Sequence, residues 1–346
     1  MTKEDYKKLN YYLNMAFNVL EYQDKFLINN CDILDFTCEE LLYNLRDIKI
    51  DPKVIQNNLT YNDVFLLSRK IIKQINPKYL NEFDELIKTG KLDFSYNSKY
   101  YDSEFIYYPN SKTKIININR EFNYRDVITL IHEFFHYINF NTELKNDNLY
   151  LLTEFISIYF ENYAVNYLIN KNIDYNQINA YFRINNLGEQ INEYQNYSSI
   201  VTAFTNFGNI SSSTITYMNN YFYDIEKEKF DKVCLHLLKK FDEIKKDYLM
   251  KIKYEKEFNS FLLAHRLSEV FKYNYRYILG TILAFYAIDN CDINDIILVN
   301  DKINSTKYLC MDIHEILNKI GINLNDEDFI LKTSDSIKKF VKNIQR

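Results

Sequence analysis

Apolar residues recur at spacings of three and four along most of the chain, which is the period of an amphipathic α-helix. Leu13, Phe17 and Leu20 show the pattern near the N-terminus. The same period resumes at Asn123 and continues almost to the C-terminus, with a Gly/Ser-rich interruption at 207–213 that is typical of a loop. The pattern therefore predicts a mainly α-helical protein.

The pattern changes between these two helical regions. Gly90 is expected to end a helix, and the segments that follow it predict short strands separated by polar turns, at 93–96, 105–108 and 114–119. We expect the strands to form a small β-sheet beside the helix that begins at Asn123. The change at Gly90 predicts a helical N-terminal subdomain over 1–90 and a second subdomain over 91–346, packed together as one unit with a central cleft.

The composition narrows the class of protein. The 42 Lys+Arg and 47 Asp+Glu give a formal net charge of −5, which offers nucleic-acid phosphates no strong electrostatic attraction. The longest apolar run, at 277–288, is well short of the roughly 20 residues that span a bilayer. We therefore expect neither a nucleic-acid partner nor a membrane partner.

The cysteines and the N-terminus bear on the compartment. The 5 Cys are scattered and form no CxxC pair, which favours reduced thiols. The first residues have no apolar core or cleavage site of the kind found in a secretory signal peptide. Both features favour a cytoplasmic protein.

The segment His132-Glu133-Phe134-Phe135-His136 is an HExxH motif inside the helix predicted from Asn123. Residues four apart share one helix face, so both imidazoles can reach one cation at about 2.0–2.1 Å. Glu133 then lies at the flank, where a water on the cation would sit. Zinc lowers the pKa of such a water toward about 7, and a carboxylate beside it can move the proton during attack on a carbonyl. The motif predicts one zinc ion with Glu133 as general base and acid.

A second apolar-periodic helix follows and carries Glu154 and Glu161. These acids are seven residues apart, so they lie on one face after two turns. A carboxylate from this helix would complete a site of two His and one Glu with a fourth position for water, which is the arrangement of a catalytic zinc. Spacing alone does not decide which of the two acids is the ligand. The other would accept a hydrogen bond from an imidazole N–H.

Three stretches resemble the zinc oligopeptidases of the thimet oligopeptidase and oligoendopeptidase F family. The segments 115–119 and 124–136 are similar to the strand, turn and active-site helix of that family, and Glu154-x-x-Ser157-x-x-x-Glu161 is similar to its second acidic motif. The segment 273–280 resembles its Tyr-rich helix. The resemblance spans about half of the chain and implies a short, divergent gluzincin with a zincin-like helical fold.

The resemblance also implies roles for individual residues. It makes Glu154 the third zinc ligand, with Glu161 beside the ligands. One hydroxyl of Tyr273, Tyr275 or Tyr277 would donate a hydrogen bond to the developing oxyanion. These three residues spread over about 200 degrees of helix, so they cannot all face the metal. His265 lies close to the position of a His that the family carries upstream of the tyrosines.

The chain departs from the family pattern in two ways. Phe135 stands where the family usually has Gly, so a bulky ring meets a neighbour that normally approaches closely. The chain is also shorter than typical members, and we expect the N-terminal helical wall of the substrate channel to be reduced.

The sequence thus predicts a zinc metallopeptidase that hydrolyses peptide bonds in short or extended peptides. One alternative is a peptide-binding or regulatory module on the same fold whose catalysis has decayed. Another is a specialised protease that acts on a leader peptide or on one protein as an effector. Metal content and peptide cleavage distinguish these classes.

Overall fold

A computed structural model describes residues 1–23, 37–41, 43, 58–94, 103–140, 147–171, 177–214, 216, 227–255, 259–305, 308 and 311–344. Helices account for most of these residues, and a small sheet accompanies them, so the predicted fold class is confirmed. No helix within these ranges is long and apolar enough to cross a membrane. The helices are α1 (Lys3–Gln23), α2 (Tyr61–Ile75), α3 (Leu80–Lys88), α4 (Tyr124–Asn139), α5 (Asp147–Asn170), α6 (Gln177–Phe207), α7 (Lys227–Glu255), α8 (Ser260–Asn290), α9 (Ile293–Lys302), α10 (Ile313–Lys319) and α11 (Phe329–Ile344).

The chain divides into two compact units, and neither is a continuous stretch of sequence. Unit 1 comprises residues 1–39 and 188–278, and unit 2 comprises residues 40–187 and 279–346. The division predicted at residue 90 stays a prediction. The HExxH helix α4 and the acidic helix α5 both belong to unit 2.

The sheet lies in unit 2 and has three strands, β1 (Leu92–Asp93), β2 (Glu104–Tyr108) and β3 (Thr113–Asn117). Their order is β1-β3-β2, with β1 parallel and β2 antiparallel to β3. Phe105 is opposite Ile116 in this register. The strand predicted at 93–96 is observed at Leu92–Asp93, whereas residues 95 and 96 lie outside the described ranges. Strands β2 and β3 both contact α4, which places the sheet beside the HExxH helix as predicted.

Polar side chains fix both ends of α4. Asn123 is its N-cap, and its side-chain oxygen accepts the Arg125 N–H at 2.7 Å. The buried Asp126 carboxylate accepts the backbone N–H groups of Glu121 and Phe122, which holds the turn before the helix. At the other end, the Lys114 ammonium on β3 donates to the carbonyls of Tyr137 and Phe140 at 3.1 and 3.0 Å. The last turn of α4 is therefore tied to the sheet.

The apolar side of α4 packs mainly against α5 and α2, and one of its rings also reaches α3. Phe134 and Phe135 are fully buried, as is Phe160 on α5. The rings of Phe135 and Phe160 stack with centroids 3.9 Å apart, and Phe134 meets the edge of Phe83 at 5.2 Å. Phe135, the bulky residue at the position where the family usually has Gly, thus stacks on an aromatic ring of α5. Aromatic pairs of this kind add about 0.5–1.5 kcal/mol beyond the area that they bury.

In unit 1, α1 packs along α7. The Tyr6 hydroxyl donates to Asp231 at 2.6 Å, and the Tyr12 hydroxyl donates to Asp242 at 2.9 Å. The Tyr12 ring also meets the edge of Phe241. The predicted loop after α6 begins at Gly208, whose φ of 67° needs the freedom of glycine.

Candidate active site

The central turn of α4 brings the two histidines of the HExxH motif together. The Nε2 atoms of His132 and His136 are 3.0 Å apart, and their rings meet edge to face. This arrangement follows from the spacing of four residues, which places both imidazoles on one helix face. Both side chains are mostly buried, with exposures of 13% and 16%. Two nitrogen donors are therefore directed at one point from a single helix.

Glu154 on α5 supplies a third donor. Its Oε1 is 3.5 Å from His136 Nε2, and its Oε2 is 3.9 Å from His132 Nε2. Within the described part of the chain, these three side chains form the group that could hold a metal ion, with ligand atoms all within 4.8 Å of one another. Two ligand atoms on a tetrahedral zinc ion lie about 3.3 Å apart, given bonds of about 2.0–2.1 Å. The observed separations of 3.0–3.9 Å and the donor types fit zinc.

Glu161 orients one of these imidazoles. Its Oε2 is 3.1 Å from His132 Nδ1, on the ring edge opposite the Nε2 that faces Glu154 and His136. A carboxylate at this position fixes the proton on Nδ1, which leaves Nε2 to bind a cation. Of the two acids that the spacing leaves open, Glu154 is thus the one beside both Nε2 atoms, and Glu161 lies behind one of them.

The carboxylates make the site attractive to positive charge. Burial lowers the pKa of His132, but the hydrogen bond to Glu161 and the neighbouring carboxylates outweigh this effect and raise the pKa to about 9. The second proton of this imidazole occupies Nε2, the atom that faces the other two donors. A divalent cation bound there would replace that proton.

Glu133 lies beside the donors with its side chain directed toward the sheet. Burial raises the pKa of its carboxyl above the ordinary value, although the two imidazoles and a hydrogen bond from the Phe105 backbone N–H oppose this effect. A carboxylate whose pKa is raised toward neutrality is a more effective general base than an exposed one. The residue is 7% exposed, so it is largely screened from bulk water.

A buried polar chain runs behind α4. The Asn139 side chain donates to Asn300 at 2.8 Å, and Asn300 donates to the Tyr79 hydroxyl at 2.8 Å. That hydroxyl donates in turn to Asp301 at 2.7 Å. The Tyr79 ring also meets the edge of Phe135. No residue pattern marks this series of hydrogen bonds, because its members are common polar residues from separate parts of the sequence.

The remaining predicted site residues lie in unit 1, on α8. Tyr275 is buried, whereas Tyr273 is exposed, and its ring meets that of Tyr277 at a tilt with centroids 4.4 Å apart. Tyr273 and Tyr277 are four residues apart and share one face of the helix, whereas Tyr275 lies on the other side, so the three hydroxyls do not all face one point, as their spacing predicts. His265 Nδ1 is 3.4 Å from Glu269 one turn along the helix. The catalytic roles of all four residues stay predictions.

The Phe105 backbone N–H is a further contributor to the site that residue patterns do not reveal. Every residue except proline carries such a group, so only the register of β2 beside α4 selects it. The only indication in the sequence is that the segment 105–108, which contains Phe105, is predicted to be a strand beside the HExxH helix.

The chain was compared with family models, curated proteins and solved structures. No protein-family model matches the chain, and neither does any curated protein. A solved structure that is similar is the crystal structure of a putative oligoendopeptidase F from Bacillus anthracis str. Ames, with 12% sequence identity and a TM-score of 0.47. The alignment covers 96% of this chain and 56% of that chain, so this chain spans little more than half the length of that protein. The chemistry of the site rests on its own residues and distances.

Proposed function

We propose that this protein is a zinc-dependent metallopeptidase that hydrolyses peptide bonds in short or extended peptides. The observation that supports it is the convergence of His132, His136 and Glu154 within 4.8 Å, with the buried Glu133 beside them. Two imidazoles and one carboxylate would hold one zinc ion and leave a coordination position open, which distinguishes a catalytic zinc from a structural one. The zinc ion would supply Lewis acidity toward the scissile carbonyl.

Glu133 would move the proton. Its carboxylate would take a proton from the attacking water and deliver it to the nitrogen of the leaving amine. The pKa, which burial raises above its ordinary value, suits both steps because the group must accept and then release the proton near neutral pH. The Phe105 N–H would hold the carboxylate in place while its protonation changes.

The sheet supports a peptide as the substrate. Ile116 on β3 donates its N–H to the Lys91 carbonyl, on the β1 side. Phe105 is opposite Ile116, so its backbone groups point away from β3, and its N–H reaches Glu133 on that side. The outer edge of β2 therefore faces the active-site helix. An extended peptide that pairs with this edge would pass beside Glu133 and the metal ligands.

One of the three α8 tyrosines would donate a hydrogen bond to the oxyanion, and His265 is a further candidate catalytic residue on the same helix. Single Phe substitutions of Tyr273, Tyr275 and Tyr277 test the first part. The variant that removes the donor should lower kcat by about 100-fold with little change in KM, because the hydrogen bond forms only in the transition state. Equal turnover in all three variants would exclude this role.

The principal test compares wild-type protein with Glu133→Gln on a mixed peptide library. We expect wild type to bind one zinc ion per chain and to cleave peptides in a manner that chelators abolish. The variant should retain zinc and lose turnover by about 10²–10⁴-fold, because the amide cannot accept the proton. Glu85→Gln on α3 is the matched control, since that side chain is 52% exposed, and it should leave turnover unchanged.

Three outcomes separate the competing functions. Full turnover by Glu133→Gln would refute the role of this residue. Zinc and peptide binding by wild type without cleavage would indicate a binding module. Cleavage of one peptide from the library, with all others intact, would indicate a specialised protease.

A further inference from the structure

Helix α8 approaches the backbone of α5 closely at Gly280. A Cβ atom built at this glycine would lie 3.3 Å from the Phe155 backbone nitrogen and 3.4 Å from the Glu154 Cβ. It would also lie 3.5 Å from the Glu154 carbonyl carbon. All of these atoms belong to unit 2. The glycine therefore lies directly against the residue that presents the carboxylate to the two imidazoles.

The contact involves atoms at, or next to, the base of the Glu154 side chain. Two of the three neighbours are backbone atoms, and the third is the first atom of the Glu154 side chain. Only the 3.3 Å separation from the Phe155 nitrogen is tighter than an ordinary contact, so the α5 backbone must give by a few tenths of an ångström at that atom, whereas the two Glu154 atoms would be in ordinary contact with the added methyl group. The ligand atoms of a metal site lie within about 0.2 Å of standard distances. A methyl group at position 280 would press on the backbone at Phe155, next to Glu154, and would therefore change where the Glu154 carboxylate is presented.

Gly188 provides a contrast within the same chain. It also lies within a helix, α6, but a Cβ atom built there meets nothing within 4 Å. Glycine costs about 1 kcal/mol relative to alanine inside a helix, and this cost applies at both positions. Of these two glycines, Gly280 is the one at which an added Cβ atom would contact a neighbouring helix.

We infer that Gly280 is a positioning residue for the metal site, because its missing side chain allows α8 to set the position of the Glu154 backbone. This inference rests on the proposed function. It extends the site beyond the residues that could touch the metal to a glycine 126 positions further along the chain.

The test compares Gly280→Ala with Gly188→Ala and wild type. Zinc affinity is measured by competition with a chromophoric chelator, and the visible spectrum of each cobalt-loaded protein reports the ligand geometry. The melting temperature of each metal-free protein is measured alongside. We expect Gly280→Ala to bind zinc about tenfold more weakly and to change the cobalt spectrum, as do other changes next to a ligand. Its metal-free melting temperature should stay within a few degrees of wild type, and Gly188→Ala should keep the wild-type affinity and spectrum.

A double-variant cycle identifies the route of the effect. In a Glu154→Gln background, Gly280→Ala should cause no further loss of zinc affinity, because the ligand that it displaces is already absent. Additive losses would show that the glycine acts elsewhere.

The remaining outcomes are decisive. If wild type binds zinc but Gly280→Ala has the same affinity and spectrum, the inference fails and the proposed function stands. A metal-free Gly280→Ala variant that does not fold would also overturn the inference, since the contact would then carry the fold and not the ligand position. If wild type binds neither zinc nor cobalt, the proposed function fails first and the inference fails with it.

Discussion

Two pairs of packed helices, α1–α7 in unit 1 and α4–α5 in unit 2, use acidic residues in opposite ways. Between α1 and α7, Asp231 and Asp242 each accept a hydrogen bond from a tyrosine hydroxyl, and Asp242 also meets the Lys8 ammonium. The Lys8 and Asp242 side chains are 48% and 40% exposed, so water solvates them. Between α4 and α5, the glutamates lie among imidazoles with exposures near 15%.

The two interfaces differ in the free-energy cost of keeping their carboxylates charged. A solvated carboxylate with a hydroxyl partner costs little, whereas several carboxylates packed together in a poorly hydrated site repel one another and lose hydration. The pKa of Glu133, which burial raises, reflects that cost. Packing does not require such residues at a helix interface. The α4–α5 pair combines this polar site with buried aromatic contacts such as Phe135 on Phe160, and we expect those contacts to offset the cost of the buried carboxylates.

The first prediction concerns the aromatic contacts of α4–α5. Phe135→Ala removes a fully buried ring that stacks on Phe160, and we expect the free energy of unfolding to fall by about 3–5 kcal/mol. Phe241→Ala, at a fully buried position on α7, should cost a similar amount. Phe261→Ala is the control, because that ring is exposed. Urea denaturation measures all three, and a loss below 1 kcal/mol for Phe135→Ala would contradict the comparison.

The second prediction separates the two acids on α5. Glu154→Gln should weaken zinc binding by at least about 100-fold, because a neutral amide is a poor zinc ligand. Glu161→Gln should weaken it by about tenfold, since the amide oxygen can still accept the His132 N–H. Competition with a chelator measures both affinities. The reverse order of effects would make Glu161 the ligand.

The third prediction uses Tyr79 behind α4. Burial raises the pKa of Tyr79 to about 12, partly opposed by the hydrogen bond from Asn300. Above pH 10 the unfolded chain releases this proton while the folded protein retains it until about pH 12, so the unfolded state gains stability. The free energy of unfolding should therefore fall by about 2–3 kcal/mol between pH 10 and pH 12 on account of Tyr79.

The variant Tyr79→Phe should lose this share of the pH dependence, measured by urea denaturation at several pH values. Tyr11→Phe, at an exposed position, is the control and should retain the wild-type slope. Equal slopes for wild type and Tyr79→Phe would show that burial of this hydroxyl does not control its ionisation.

The smallest effect is expected at the α1–α7 surface. Lys8→Ala removes the ion pair with Asp242, and we expect a loss below about 1 kcal/mol because both groups are well exposed. Lys7→Ala, at the exposed neighbouring position, serves as the reference. A loss above 2 kcal/mol in Lys8→Ala would mean that the ion pair, and not the apolar contact, holds α1 on α7.

Local patterns predicted what depends on local geometry. The helix period and the cap at Asn123 identified α4, and the spacing of four placed His132 and His136 on one face. The convergence of Glu154 with them depends on how α5 packs against α4, and the sequence offered two equivalent acids. The stack of Phe135 on Phe160 is part of that packing, and neither helix alone specifies it.

Two contributors were beyond any residue pattern. The Phe105 N–H belongs to the backbone, which has no residue-specific signature. Gly280 acts through the space that it leaves, and this space exists only when α8 lies against α5. Contacts of both kinds arise from the approach of elements that are distant in sequence.

The tie between Lys114 and the last turn of α4 has a mechanical consequence. One ammonium group, half shielded from water, joins a strand of the sheet to the carbonyl end of the helix that carries both histidines. The central strand β3, on which the edge strand β2 is paired, is thereby fastened to the last turn of the helix that carries both imidazoles. A peptide paired with β2 would therefore keep its position relative to the histidines. Under the proposed function, the register of its pairing with β2 would then determine which peptide bond lies at the metal site.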